Sequence, residues 1–120
     1  MTALLTTLGP KQLDELGLIL PHEHIFVDLR TWDTPGYAEA DPVDVIRLMT
    51  PEIERAQAAG VTAIVECSPV GVGRRADIDR AVSEATGMPI VVPTGIYREP
   101  WIPDWAQAAS EAEIVDWMLA

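Results

Sequence analysis

Apolar residues along this chain switch between two periods. At positions 18–24, 61–67 and 89–95 they form short, nearly continuous runs rich in Ile, Val and Leu, as expected of strands buried on both faces of a parallel sheet. Elsewhere the spacing lengthens to three and four residues. Asp41-Pro42 supplies an N-cap followed by proline at the first helical position, and Val43, Ile46, Leu48 and Met49 continue helically. Thr50-Pro51 repeats that start signal, which predicts a kink or restart before the helix stops at Gly60. Gly71 and Gly73 turn the chain into a second helix over 75–86, where Ile78, Ala81, Val82 and Ala85 make one stripe, and Gly87 ends it. Ser110 caps a last helix, with Glu113 at the capping-box position and Ile114, Trp117 and Met118 as its apolar stripe. Leu4, Leu5 and Leu8 ahead of Gly9-Pro10 predict a short hairpin at the start. Positions 30–37 and 96–105 read as loops, the second rich in aromatic residues.

Three strands, each followed by a helix, give a βαβαβα order and an α/β fold of right-handed parallel units. Two architectures accommodate it: a small doubly wound sheet, or the opening three units of a (β/α)8 barrel. The 120 residues fit one domain, and 48% hydrophobic content predicts a real core. Nineteen acidic against eight basic residues, a net charge of −11, oppose binding to nucleic acid or an anionic membrane surface. No apolar run approaches the ~20 residues of a membrane span. The first residues lack the charged start and cleavage site of a signal peptide, and Cys67 is the only cysteine, so the expectation is a cytoplasmic protein without an internal disulfide.

The candidate chemistry sits at Pro21-His22-Glu23-His24, which ends the first strand run and holds both histidines of the chain. In a strand, residues i and i+2 share a face about 6.6 Å apart. His22 and His24 can therefore reach one metal ion, with Glu23 pointing the other way. In parallel α/β folds, sites form at the carboxyl ends of strands.

Other features have simpler readings. Gly71-Val72-Gly73-Arg74-Arg75 lacks the third glycine of a dinucleotide fingerprint and departs from the P-loop pattern, so Arg74 is expected in a structural ion pair. Glu66 and Cys67 end the second strand, where packing is the expected role. The acidic pairs Glu52, Glu54 and Asp77, Asp79 read as solvated helix faces. Trp101 and Trp105 either line a pocket or cover its rim.

Four segments in order carry a resemblance: positions 20–25 around the two histidines, Ala59-Gly60-Val61-Thr62-Ala63-Ile64-Val65-Glu66, Gly73-Arg74, and Thr94-Gly95-Ile96-Tyr97. Together they resemble the N-terminal part of the phosphotriesterase family of the amidohydrolase superfamily, over roughly residues 18–120. The resemblance implies three βα units of a (β/α)8 TIM barrel with a binuclear divalent metal centre, usually two zinc ions, at its C-terminal face. It implies His22 and His24 as metal ligands and Tyr97 beside the substrate, where Trp101 is expected as a further substrate-binding residue. It also implies hydrolysis of small-molecule lactones, phosphotriesters or carboxylic esters by a metal-bridging hydroxide, with a homodimer as the expected full-length assembly.

A catalytic zinc normally takes three protein ligands, and only two histidines are present. The family supplies the others as a carboxylated lysine on the fourth strand, histidines on the fifth and sixth, and an aspartate on the eighth. Lys11, the only lysine, precedes the first strand and cannot take the bridging role. The expectation is that residues 1–120 are the N-terminal part of one longer barrel domain, inactive alone. The alternative is a complete, non-catalytic α/β domain with a structural or adventitious His-x-His metal site.

Overall fold

A computed structural model describes residues 2–120. The chain opens with an antiparallel hairpin of β1 (Ala3–Thr6) and β2 (Gly9–Gln12), followed by a single 3-10 turn at Leu13–Glu15. A parallel sheet then forms from β3 (Leu18–Glu23), β4 (Val61–Glu66) and β5 (Ile90–Val91), in the order β3-β4-β5. Helices α1 (Pro42–Ala58) and α2 (Ala76–Thr86) connect these strands, and α3 (Asp104–Ala108) and α4 (Glu111–Leu119) follow. This is the alternating α/β arrangement expected from the apolar spacing.

The core lies between the sheet and the two connecting helices. Ile53 of α1, Ala63 and Ile64 of β4, Ile78 and Val82 of α2, and Met88 and Ile90 are each at most 4% exposed. Of the stripe expected in α2, Ile78 and Val82 are buried, while Ala81 is half-buried and Ala85 exposed; the buried side is rotated to take in Asp79 and Ser83. Asp41 caps α1 by accepting from the Val43 amide at 2.9 Å. Gly87 ends α2 at φ +71, in the left-handed region that glycine enters without a Cβ penalty.

Four details depart from the sequence reading. First, of the kink or restart expected at Pro51 there is no restart, α1 running through it as one helix; the proline removes one backbone donor, and the Thr50 hydroxyl adds a bond to the Ile46 carbonyl at 2.7 Å. Second, β5 is two residues long, because Pro93 has no amide to extend the ladder and its carbonyl is taken by Arg74 Nε at 2.7 Å. Pairing resumes further on, where Val70 donates to Gly95 and Tyr97 donates back to Val70. Third, the end of the aromatic loop, from Asp104, is already the start of α3. Fourth, the capping box of Ser110 and Glu113 forms as expected, but α4 buries no residue, with Met118 39% exposed.

The acidic pairs divide. Glu52 pairs with Arg55 and Asp77 with Arg75 on the surface, as a solvated face requires. Asp79 does not belong with them: it is 2% exposed, on the α2 side that carries Ile78 and Val82 inward. Proximity in sequence to Asp77 masked the helical rotation that separates the two.

Candidate metal centre

The two histidines stand where β3 gives way to its loop. The β3 ladder with β4 is irregular just before them: Leu20 pairs with Ile64 and Glu23 with Glu66, so three steps along β3 match two along β4. Pro21 lies in that bulge, where its missing amide disturbs nothing. Pairing continues past the strand through a 2.8 Å bond from the Cys67 amide to the Glu23 carbonyl. The bulge shifts the simple alternation, and the two imidazoles still meet, edge to face, with centroids 5.4 Å apart and planes at 78°.

This spacing fits a shared ion. A metal about 2.0–2.1 Å from one nitrogen of each ring, at a near-tetrahedral angle, sets the centroids about 5 Å apart. Both histidines belong to exposed positions, so their outer edges are open to a ligand. Among the described residues no group of three or more His, Cys, Asp or Glu side chains is placed to hold a metal.

Behind His24 lies a polar cluster that the sequence did not reveal. Ser68 Oγ sits 2.9 Å from His24 Nδ1, and Glu66 Oε1 is 3.8 Å from the same nitrogen. Glu66 and Ser68 are each 1% exposed. Read as a packing residue in preference to one approaching a metal, Glu66 accepts from the Ser68 amide at 2.7 Å and bonds the Ser68 hydroxyl. A Glu-x-Ser at a strand end was the available signal. Cys67, between them, points its sulfur weakly at the Pro21 and Val65 carbonyls, 3.9 and 3.8 Å away, which agrees with a packing role.

Asp79 extends the buried acidity beneath this cluster. Burial first, and then the Glu66 charge, push its carboxyl up to about 7, with Arg74 pulling the other way. Arg74 forms no ion pair among the described residues; its Nε is committed to the Pro93 carbonyl. The expected structural ion pair is therefore replaced by a backbone bond, since the acidic neighbour Asp77 is already held by Arg75.

The β3–α1 loop is strapped down over this end of the sheet. Asp28 accepts from Arg30 Nε and Nη2, at 2.9 and 2.6 Å, and from the Ala38 amide at 2.9 Å. The Arg30 guanidinium holds the Asp28 carboxyl well below the usual carboxylate range. Tyr37 accepts from the Gly73 amide at 2.6 Å, and burial raises its hydroxyl pKa. Gly71 and Gly73 serve this packing. A Cβ on Gly71 would overlap the Trp101 carbonyl, and one on Gly73 would lie 2.8 Å from the Asp28 amide nitrogen.

The aromatic loop brings Tyr97 and Trp101 together, with ring centroids 5.5 Å apart and the Arg98 guanidinium 5.8 Å from each ring. The Trp101 indole donates to the Leu29 carbonyl at 2.8 Å, which ties this loop to the one after β3. Trp105 instead lines a cavity of about 290 Å³ with Trp32, Tyr37, Val70 and Arg74.

A three-strand parallel α/β unit with paired imidazoles at the end of its first strand defines the class of fold. The model of the Phosphotriesterase family matches residues 2–120, and the chain belongs to that family. It is 33% identical over 105 residues to a phosphotriesterase homology protein of Mycobacterium tuberculosis, a match that covers 86% of this chain and 32% of that protein. Among solved structures, a variant organophosphorus hydrolase from Deinococcus radiodurans is 32% identical, with a TM-score of 0.79 over 98% of this chain and 38% of that one. A variant PTE-like lactonase from the same organism is 31% identical, with a TM-score of 0.79 over 96% and 38%. A resiniferatoxin-binding protein from Rhodobacter sphaeroides is 27% identical, with a TM-score of 0.77 over 95% and 39%. The chain thus spans about a third of the length of the curated relatives it matches. The fold is that of the opening βα units of the family's barrel.

No helix among the described residues is long and apolar enough to cross a membrane.

Proposed function

We propose that this chain supplies the first half of a binuclear metal site in a hydrolase of lactones or related small-molecule esters, phosphotriesters included. One observation carries the reading. The only two histidines of the chain sit at the carboxyl end of the first parallel strand with rings 5.4 Å apart, in a chain of the phosphotriesterase family. A divalent ion there lowers the pKa of bound water from ~15.7 towards 7 and polarises the substrate oxygen.

The chain's own residues have distinct tasks. His22 and His24 are neutral donors suited to zinc and to neighbouring divalent metals. Tyr97 and Trp101, the latter tied to the Leu29 carbonyl, offer an aromatic wall for the apolar part of an ester. The names of the solved neighbours, organophosphorus hydrolase and lactonase, support this substrate class.

The 120 residues act, in this reading, as the N-terminal part of one barrel domain. Two features support it. Among the described residues β3 has no strand on its outer side, and large apolar side chains such as Leu48 and Leu29 stand 60% and 65% exposed. The test is to express the complete reading frame and assay lactones, carboxylic esters and phosphotriesters with and without a chelator. Hydrolysis that chelation removes and divalent metal restores is the expected result; turnover indifferent to chelation contradicts it.

A further inference from the structure

The environment of His24 decides which of its ring nitrogens carries hydrogen. Ser68 offers two donors, and both go to Glu66: the amide to Oε2 at 2.7 Å and the hydroxyl to Oε1. A serine hydroxyl has one proton and two lone pairs. With that proton given to Glu66, Ser68 Oγ can only accept from His24 Nδ1, 2.9 Å away. Nδ1 therefore holds the hydrogen. Direct transfer to Glu66 is excluded by the 3.8 Å separation, beyond hydrogen-bond reach.

We propose that Glu66 and Ser68 form a positioning relay that fixes His24 as its Nδ1–H tautomer and leaves the Nε2 lone pair for a divalent ion. Free histidine favours the opposite tautomer, Nε2–H. Without the relay, His24 would turn its lone pair towards Ser68 and the interior. Both relay residues are 1% exposed, so water has little access to replace either partner. Metal-bound histidines commonly donate their second N–H to such a partner, which orients the ring and raises its basicity. The side chain of His22 has no hydrogen-bond partner among the described residues, so the two imidazoles form an internal comparison.

That the open nitrogen takes a metal rests on the hydrolase reading; the tautomer does not. Long-range proton–nitrogen NMR of the metal-free protein reports both ring nitrogens of each histidine. For His24 the expected spectrum shows a hydrogen-bearing Nδ1 and a lone-pair Nε2, with His22 showing the ordinary preference for Nε2–H. S68A is expected to return His24 to that ordinary preference and to lower its zinc affinity about 10–100-fold, and S68T is expected to restore both. A wild-type His24 in the Nε2–H form overturns the relay, and this needs no variant to fold. An Nδ1–H form that survives unchanged in folded S68A also overturns it. An Nδ1–H form in a protein without chelator-sensitive hydrolysis would leave the relay standing and remove the hydrolase reading.

Discussion

His24 and Glu66 approach to 3.8 Å across the ends of two adjacent parallel strands, the imidazole 39% exposed and the carboxylate 1%. The arrangement gives the site a wet side and a dry side. The open edges of the imidazoles face solvent, and the carboxylate holds its place from within. Several measurable consequences follow from this layout and from the packing that supports it.

Asp79 makes stability depend on pH. Its unfolded carboxyl titrates near 3.8 and its folded one at about 7, so between those values the folded state holds a proton that the unfolded state has released. The stability this proton brings is fully present below 3.8 and is lost as pH rises through about 7, at up to about 1.4 kcal/mol per pH unit. Asp79→Asn keeps the shape and removes the charge. Urea midpoints measured across this range are expected to fall with rising pH in the parent chain and to flatten in the variant. Equal slopes would show that Asp79 is not desolvated as described.

Gly71→Ala tests the contact between the β4 and β5 loops. Gly71 has φ +106, and an added Cβ would meet the Trp101 backbone. The strain at a positive-φ position costs about 1–3 kcal/mol, and the Trp101–Leu29 tether shifts with it. Thermal unfolding should show the loss, and tryptophan fluorescence the altered loop. An unchanged melting temperature would contradict the close approach.

Asp28→Asn removes the charge that Arg30 grips and leaves its guanidinium without its carboxylate partner. Hydrogen bonds to charged groups contribute about 1.5–3 kcal/mol. A destabilisation of that order is expected by denaturant titration at neutral pH. Because the folded pKa of Asp28 is depressed, its contribution is present above the ordinary carboxylate value and vanishes as pH falls through the lower folded one. The variant and the parent should therefore converge in strong acid.

Ile78→Ala opens a hole under the sheet. Ile78 is fully buried, and such truncations cost about 2–5 kcal/mol. The same change at Val43, 70% exposed on the outside of α1, is expected to cost under about 0.5 kcal/mol. A pair of chemical-denaturation curves compares the two.

Most of the fold was legible because its signals are local. The Ile and Val run of β4, the Asp41-Pro42 start of α1, the Gly87 stop of α2 and the Ser110 capping box all depend on neighbours a few residues away. Where reading failed, a tertiary partner decided. Pro93 shortens β5 once Arg74 claims its carbonyl, and α3 starts at Asp104, at the end of a stretch whose prolines and aromatics read as loop. Asp79 looked like Asp77 until the helix packed and turned one inward. The closeness of His22 and His24 was expected from strand alternation, but the bulge at Pro21 breaks that alternation and the rings meet edge to face all the same. Ser68 was missed altogether: Glu-x-Ser at a strand end is a weak signal until the fold sets the carboxylate and an imidazole on either side of the serine.

The central claim is that His22 and His24 hold metal in a hydrolase. The most direct test is metal content and ester turnover of the protein expressed from its complete reading frame, compared with its His22→Ala and His24→Ala variants. The parent is expected to retain about two divalent ions, as binuclear hydrolytic sites do, and each variant to lose bound metal together with more than about 100-fold of its activity, exceeding the 10–100-fold effect of outer partners. Variants that stay folded, keep the parent's metal content and turn over substrate at the parent's rate would contradict it.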